Sequence, residues 1–406
     1  MISRPARPQV RSADDYRDTI EQLLRPLAAR PVESVPIAEA VGRLLAEDMR
    51  APIDLPVFRN SAMDGYAVWA GDVAITPVRL PVTGVVAAGD TGEPLAPGTA
   101  RKVMTGAPLP DGAQCVVPVE DTTAEGGTVH ITRGRARGEF VREPGSDVRA
   151  GAELVSAGTL LAPRHIAALA AVGLASIPVF APIRAALIGT GNELVSPGGR
   201  LRPGQIYNSN GIALAAALEA NGVRVTGVEH SSDDPGQFRR LLRAAAADAD
   251  LVITTGGVSK GDFEVVREVL IPLGGEFGSV AMQPGGPQGL TVVDGVPVLS
   301  FPGNPVSAVV SFEVLARPIL RRLSGLGPVP EYELPLLGAV RSSPAGRRQF
   351  LRGKLVWKGA RPHAVEVVSG PGSHLVASMA AADVLIDIPA EETEMPPGTA
   401  VRVWTL

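Results

Sequence analysis

Apolar residues recur at helical spacing directly after Ser12. Tyr16, Ile20, Leu23, Leu24 and Leu27 form one stripe, and Ser12 with Asp15 supplies a capping box, so a helix starts there. A second amphipathic stretch covers 37–45. From Ala51 to Arg149 that periodicity disappears. Short β-rich runs at 82–87, 113–119 and 129–132 alternate with Gly, Pro and Asp, the pattern of a small all-β domain. Helical character returns at 163–172. The β-rich piece (51–149) therefore reads as an insertion between two halves, 11–50 and 150–177, of a helical linking domain.

The most regular patterning lies within 178–327. Strand-like runs at 184–188, 223–229 and 251–254 alternate with helical stretches near 211–220, 237–247 and 263–270, and Asn221-Gly222 is a helix stop. This rhythm predicts a doubly wound parallel sheet. A β-rich excursion follows at 280–283, 290–293 and 297–301, with Asp294-Gly295 as a hairpin turn, and then a helix at 308–320. Runs at 334–340, 364–368, 384–388 and 400–404 predict a C-terminal β domain, 328–406. The expected fold class is multidomain α/β plus β: a central doubly wound sheet, two small all-β domains and a helical linker.

Composition removes several classes of function. The 406 residues carry 38 Lys+Arg against 42 Asp+Glu, a net charge of -4, which argues against a protein that wraps nucleic acid. The single cysteine, Cys115, excludes an internal disulfide framework and a Cys-based zinc site; followed by Val116 and Val117, it reads as a core residue in a chain suited to a reducing compartment. The histidines (130, 165, 230, 363 and 374) show no metal-ligand spacing. A metal would be held by carboxylates and phosphates, which points to Mg²⁺. The uncharged segment 166–183 is interrupted by Gly173, Pro178 and Pro182, too short a run for a membrane span, and residues 1–10 contain no apolar signal run. A cytoplasmic protein is expected.

Ligands of open parallel sheets bind beyond the carboxyl ends of the strands. The turns there are Gly189-Thr190-Gly191-Asn192-Glu193, Ser231-Ser232-Asp233-Asp234, Thr255-Gly256-Gly257-Val258-Ser259-Lys260-Gly261-Asp262 and Pro302-Gly303-Asn304-Pro305-Val306-Ser307. Glycines let backbone N–H groups approach a phosphate, hydroxyls add donors, and Glu193, Asp233 and Asp262 would repel that phosphate without a bridging cation. Taken singly, each turn is equally explained as a tight βα connection, and Asp233 or Asp234 as a helix cap. Ser209 and Asn210, opening the helix at 211–220, join the candidate contacts. Asp64, in Ser61-Ala62-Met63-Asp64-Gly65-Tyr66, is either turn chemistry or a carboxylate projecting into a neighbouring site. Arg133, Arg135, Arg137 and Arg142 read as a solvated basic face; Arg347, Arg348 and Arg352 are candidate anion contacts. No Ser/His/Asp arrangement is present.

In combination and in order, the motif around Asp64, Met104-Thr105-Gly106-Ala107-Pro108-Leu109-Pro110, Gly189 to Leu194, Gly256-Gly257-Val258-Ser259 and Phe301 to Ser307 resemble the molybdopterin molybdenumtransferase (MoeA) family, which is similar to the gephyrin E domain. The resemblance extends more weakly to Gly372-Ser373-His374 and Arg347 to Arg352. It implies a cytoplasmic enzyme of molybdenum-cofactor biosynthesis that takes adenylylated molybdopterin and molybdate, releases AMP and uses a divalent cation, Mg²⁺. It also implies a homodimer with a cleft shared between subunits, and contact with the adenylylating protein and recipient molybdoenzymes. Asp64, Asp147, Glu193, Asp233 and Asp262 match acidic site positions, and Ser373 a serine of the last domain. Where many relatives carry basic residues, Ser279, Gln283 and Gly286 are uncharged here, so Gln283 would contact the oxyanion without charge assistance. Two alternatives stay open: a non-catalytic pterin-nucleotide carrier or scaffold, and an ATP-dependent molybdopterin adenylyltransferase.

Overall fold

A computed structural model describes residues 10–91, 93–259 and 264–406, which divide into two compact units, 34–179 and the remainder. In the larger unit, helix α1 (Ala13–Leu24) begins at Ser12, whose Oγ accepts from the Asp15 N–H at 3.0 Å and donates to the Asp15 carboxylate at 2.7 Å. Its stripe of Tyr16, Ile20 and Leu24 is buried with Phe312 and Leu315. The helix thus belongs to the doubly wound core, whereas the sequence pattern alone joins it to 150–177.

The unit 34–179 holds a six-stranded sheet in the order Cys115–Pro118, Gly65–Val68, Ala100–Val103, Val78–Val86, Thr128–Ile131, Thr122–Glu125. Cys115 is fully buried beside Tyr66, Val68 and Ile131, and burial pushes its thiol up to about 11, an inert core position. Helix α2 (Pro163–Ala171) is present as expected. The expected second helix is not: 37–39 form only a 3-10 turn, and Leu44 and Leu45 make isolated bridges to Leu160 and Val179. Gly42, at φ +79, breaks the helical register between them. The basic run is no uniform solvated face, since Arg135 turns inward to pair with Asp121 and Glu139.

The central sheet runs Val223–Ser231, Ile183–Thr190, Leu251–Thr255, Val296–Phe301, Pro287–Val293, Glu276–Ser279. The first four strands are mutually parallel; Pro287–Val293 runs antiparallel to both of its neighbours, Val296–Phe301 and Glu276–Ser279. Helix α3 (Ser209–Ala220) buries Leu214 and Leu218 on one face of the sheet, against Ala185 and Leu187. Helix α4 (Pro235–Asp248) covers the other with Phe238 and Leu242, against Ala186 and Ile188. Helix α5 (Val265–Leu270) joins the second layer. Asp294 and Gly295, both at positive φ, make the predicted hairpin turn. The single helix expected at 308–320 is divided into α6 (Pro305–Ser311), a π turn at Phe312–Ala316 and α7 (Arg317–Leu323). Pro318 lacks the N–H that would continue an α ladder, and the turn before it widens.

The C-terminal sheet contains a strand that the patterning did not reveal. Arg348–Lys358 is central, flanked by Val384–Ile388, Arg361–Val367 and the two-residue Met282–Gln283, with α8 (Val376–Ala380) nearby in the chain. Its Arg and Gln side chains occupy buried positions and erase the alternation. No helix among the described residues is long and apolar enough to cross a membrane.

A buried polar cluster ties this unit together. Arg317 pairs with Glu313 and donates to the Thr405 carbonyl and to Asn221 Oδ1, which also accepts from Arg321. Burial raises the Glu313 pKa, with Arg317 opposing. Glu313→Ala strands the Arg317 charge and is expected to cost ~3–5 kcal/mol in urea unfolding, whereas Glu313→Leu with Arg317→Met recovers most of it.

Candidate functional site

Because the four parallel strands run the same way, the turns after Thr190, Ser231, Thr255 and Phe301 all leave the same edge of the sheet. The chain departs to opposite sides after Ile183–Thr190 and Leu251–Thr255, since α3, which follows the first, and α5, which follows the second, cover opposite faces. The crevice therefore opens between these two strands.

The turns are tied to one another. Thr190 Oγ1 donates to the Thr255 carbonyl at 3.2 Å, and Gly191 N–H to the Ser231 carbonyl at 3.2 Å. His230 Nε2 lies 2.8 Å from the Gly191 carbonyl. Asn192 and Asp233 exchange bonds, with Asn192 N–H donating to Asp233 Oδ2 at 3.4 Å and Asp233 N–H to Asn192 Oδ1 at 3.2 Å. Asp234, not Asp233, caps α4 by accepting from the Gln237 N–H, which leaves Asp233 for the rim. The Glu193 carboxylate folds over Gly191, so close that a Cβ there would lie 2.5 Å from Oε2. Gly256 N–H donates to the Phe301 carbonyl, and Asn210 Nδ2 to the Gly303 carbonyl at 2.7 Å. Gly189 leaves room for Asn208, the α3 cap, whose Nδ2 would be 3.0 Å from a Cβ. Ser259 N–H is taken by Glu264.

Helix α6 gathers the rest. Pro302, Gly303 and Asn304 precede it; Val306 N–H donates to the Ser373 carbonyl at 3.2 Å; Gly285 of the 283–287 turn lies against Ser307 and Ser311. Gly189, Thr190, Gly191, Asn192, Glu193, Ser209, Asn210, Asp233, Thr255, Gly256, Gly257, Val258, Ser259, Pro302, Gly303, Asn304 and Ser307 thus share one rim or the helices that open from it, with Ser373 and the Gln283 turn alongside α6. Lys260 and Asp262 lie outside the described residues. Asp64 and Asp147 belong to the unit 34–179.

The arginines correct the sequence-based expectation. Arg352 is wholly buried and is no exposed anion contact: Nη2 donates to Ser369 Oγ and to the Gly370 and Gly372 carbonyls, shaping the segment that carries Ser373, while Nε and Nη1 are unpartnered among the described residues. Burial lowers its pKa. Arg348 is paired with Asp387 and Asp14 and stacked on Phe350 and Trp404. Arg347 is exposed in the preceding turn. Arg348 and Asp387 line a cavity of about 680 Å³ with Asp14, Ala281, Glu331 and Arg402, and none of the four turns at the sheet edge lines it.

Thr105 stands in the motif at 104–110, but its partner was not legible in the sequence: its N–H (2.6 Å) and Oγ1 (2.8 Å) both donate to Asp64 Oδ1 and hold the Asp64 pKa below the ordinary value. Sequence patterning missed Asn208, although Asn ahead of a helix is a readable cap.

The fold and rim define an α/β protein with a polar crevice at the switch point of a doubly wound sheet. Family models agree along the chain: "MoeA N-terminal region (domain I and II)" matches residues 11–173, "Probable molybdopterin binding domain" 186–322 and "MoeA C-terminal region (domain IV)" 336–406. The chain is 43% identical to molybdopterin molybdenumtransferase 2 of Mycobacterium tuberculosis, across 98% of this chain and 100% of that protein. It is 37% identical to the molybdopterin molybdenumtransferase of Synechococcus elongatus, across 96% and 99%. The crystal structure of a molybdopterin biosynthesis MoeA protein from Pyrococcus horikosii superposes with a TM-score of 0.83 at 34% identity, covering 98% of this chain and 99% of that one. The chain belongs to the molybdopterin molybdenumtransferase (MoeA) family, and it is an enzyme of molybdenum-cofactor biosynthesis.

Two outcomes test this geometry. Gly256 sits at φ +89, where a Cβ would lie 2.8 Å from both the Thr190 carbonyl oxygen and Oγ1. Gly256→Ala is therefore expected to cost ~1–2 kcal/mol from the left-handed backbone alone, read by thermal unfolding. Because Thr105 holds Asp64 ionised as pH falls through the normal aspartate range, Thr105→Val moves the Asp64 titration midpoint upward in carboxyl NMR. An unmoved midpoint contradicts the assignment.

Proposed function

We propose that this enzyme inserts molybdenum from molybdate into adenylylated molybdopterin with release of AMP, that Mg²⁺ assists, and that it acts as a homodimer in the cytoplasm. The observation that carries the proposal is the convergence of four cross-tied turns on one rim, with the two carboxylates Glu193 and Asp233 flanking Asn192. Glycine-rich turns, which let backbone approach closely, suit a pyrophosphate. Asn210 Oδ1, buried without a partner among the described residues, suits a donor on the ligand.

In this mechanism no covalent enzyme intermediate forms. The 189–193, 256–259 and 302–304 turns hold the pyrophosphate, and Glu193 and Asp233 orient water or molybdate against it. Water adds at phosphorus, the P–O–P bridge breaks, and AMP leaves while the other phosphate stays on the pterin; this hydrolysis drives metal insertion into the dithiolene. Glu193 and Asp233 are hard oxygen donors that fit Mg²⁺, and Asp262 would complete the set; three such ligands do not cluster among the described residues. When bound, Mg²⁺ supplies neutralising charge to the pyrophosphate. Gln283 and the segment carrying Ser373 are assigned to the molybdate, the adenylylating protein delivers the pterin nucleotide, and recipient molybdoenzymes accept the product.

AMP release from adenylylated molybdopterin should require both molybdate and Mg²⁺. Asp233→Asn should lower turnover by at least about tenfold while retaining pterin binding. Release that is indifferent to molybdate, or ATP-dependent adenylylation by the same chain, contradicts the proposal.

A further inference from the structure

We infer that Gln349 is a positioning residue that makes Gln283 a neutral hydrogen-bond donor for the tetrahedral oxyanion substrate; this rests on the assignment of the 283–287 turn to molybdate.

The backbone of that turn is locked without help from the Gln283 side chain. Gln288, only 1% exposed, donates Nε2 to the Gly285 carbonyl and to Ser311 Oγ, both at 2.7 Å. Ser311 Oγ donates onward to the Ser307 carbonyl of α6. Gly285, at φ +98, packs so tightly that a Cβ would lie 2.9 Å from Ser311 Oγ. On the other side, Met282–Gln283 pairs in parallel with Arg348 and Gln349. Gln349, 2% exposed, donates Nε2 to Gln283 Oε1 at 2.6 Å.

A primary amide has one accepting end and one donating end. With Oε1 occupied by Gln349, the half-buried Gln283 presents Nε2, which has no acceptor among the described residues. Released from Gln349, the amide can turn its carbonyl oxygen outward, where it repels an oxyanion. The pairing therefore fixes the sign of the dipole that the substrate meets, and it does so with no net charge.

The test uses the full-length enzyme, with the molybdate KM, kcat and the affinity for the pterin nucleotide measured separately. Gln349→Leu should raise the molybdate KM on the order of five- to tenfold, the loss of about one hydrogen bond, with kcat and pterin affinity unchanged. Gln349→Lys, which still donates to Oε1, should restore it. If Gln349→Leu does not fold, Gln349→Glu gives the same readout, since a carboxylate accepts from Nε2 and turns the oxygen outward. An unchanged molybdate KM, a parallel loss of pterin affinity, or no restoration by Gln349→Lys overturns the role of Gln349. Gln283→Leu separates the two levels. If it raises the molybdate KM while Gln349→Leu does not, only the positioning role falls; if it leaves the KM unchanged while AMP release persists, the turn is not the oxyanion site and both fall.

Discussion

The common direction of four strands is the constraint from which the rest of the structure follows. Parallel pairing of Val223–Ser231, Ile183–Thr190, Leu251–Thr255 and Val296–Phe301 forces each following turn out of the same edge. The apolar interior that enforces this pairing is the near-continuous burial of Ala185 to Ile188 and Leu251 to Thr255, covered by α3 on one face and α4 on the other. Reversing any one strand would carry its turn to the far edge. The chemistry of the rim is thus a consequence of hydrophobic layering, not of local motifs acting alone.

Once the turns meet, small residues decide how closely. Gly256 lets the backbone pass against Thr190, and Gly189 admits the Asn208 cap. Asp234 takes the capping duty at α4, which frees Asp233 to exchange bonds with Asn192. Around α6 the same economy recurs: one short helix is touched by Gly285, by the Ser373 carbonyl and by the turn that precedes it. A change in any of these contacts is felt across the crevice.

The sequence made the doubly wound rhythm legible because the strands Ile183–Thr190 and Leu251–Thr255 are near-continuously buried and α3 and α4 carry a stop or cap, Asn221-Gly222 and Asp234. It concealed what depends on long-range packing. Arg348–Lys358 hides as a strand because Arg352 and Gln349 are inside the fold, where side chains of that type are seldom buried. Gln349 meets Gln283 across 66 positions of chain through a two-residue pairing, which no local window can register. Thr105 reaches Asp64 across 41 positions in the same way. The α1 stripe was visible as a stripe, but its partner at the π turn was not. Motif order along the chain carried the family, while the roles of the arginines emerged only from burial.

The central claim, that the switch-point rim seats the pyrophosphate of the substrate, is tested most directly by a crystal structure with adenylylated molybdopterin bound. The account predicts the pyrophosphate against the backbone of 189–193, 256–259 and 302–304, with Asp233 beside it. A nucleotide lodged instead in the cavity of about 680 Å³ beside Arg348 and Asp387 would contradict it.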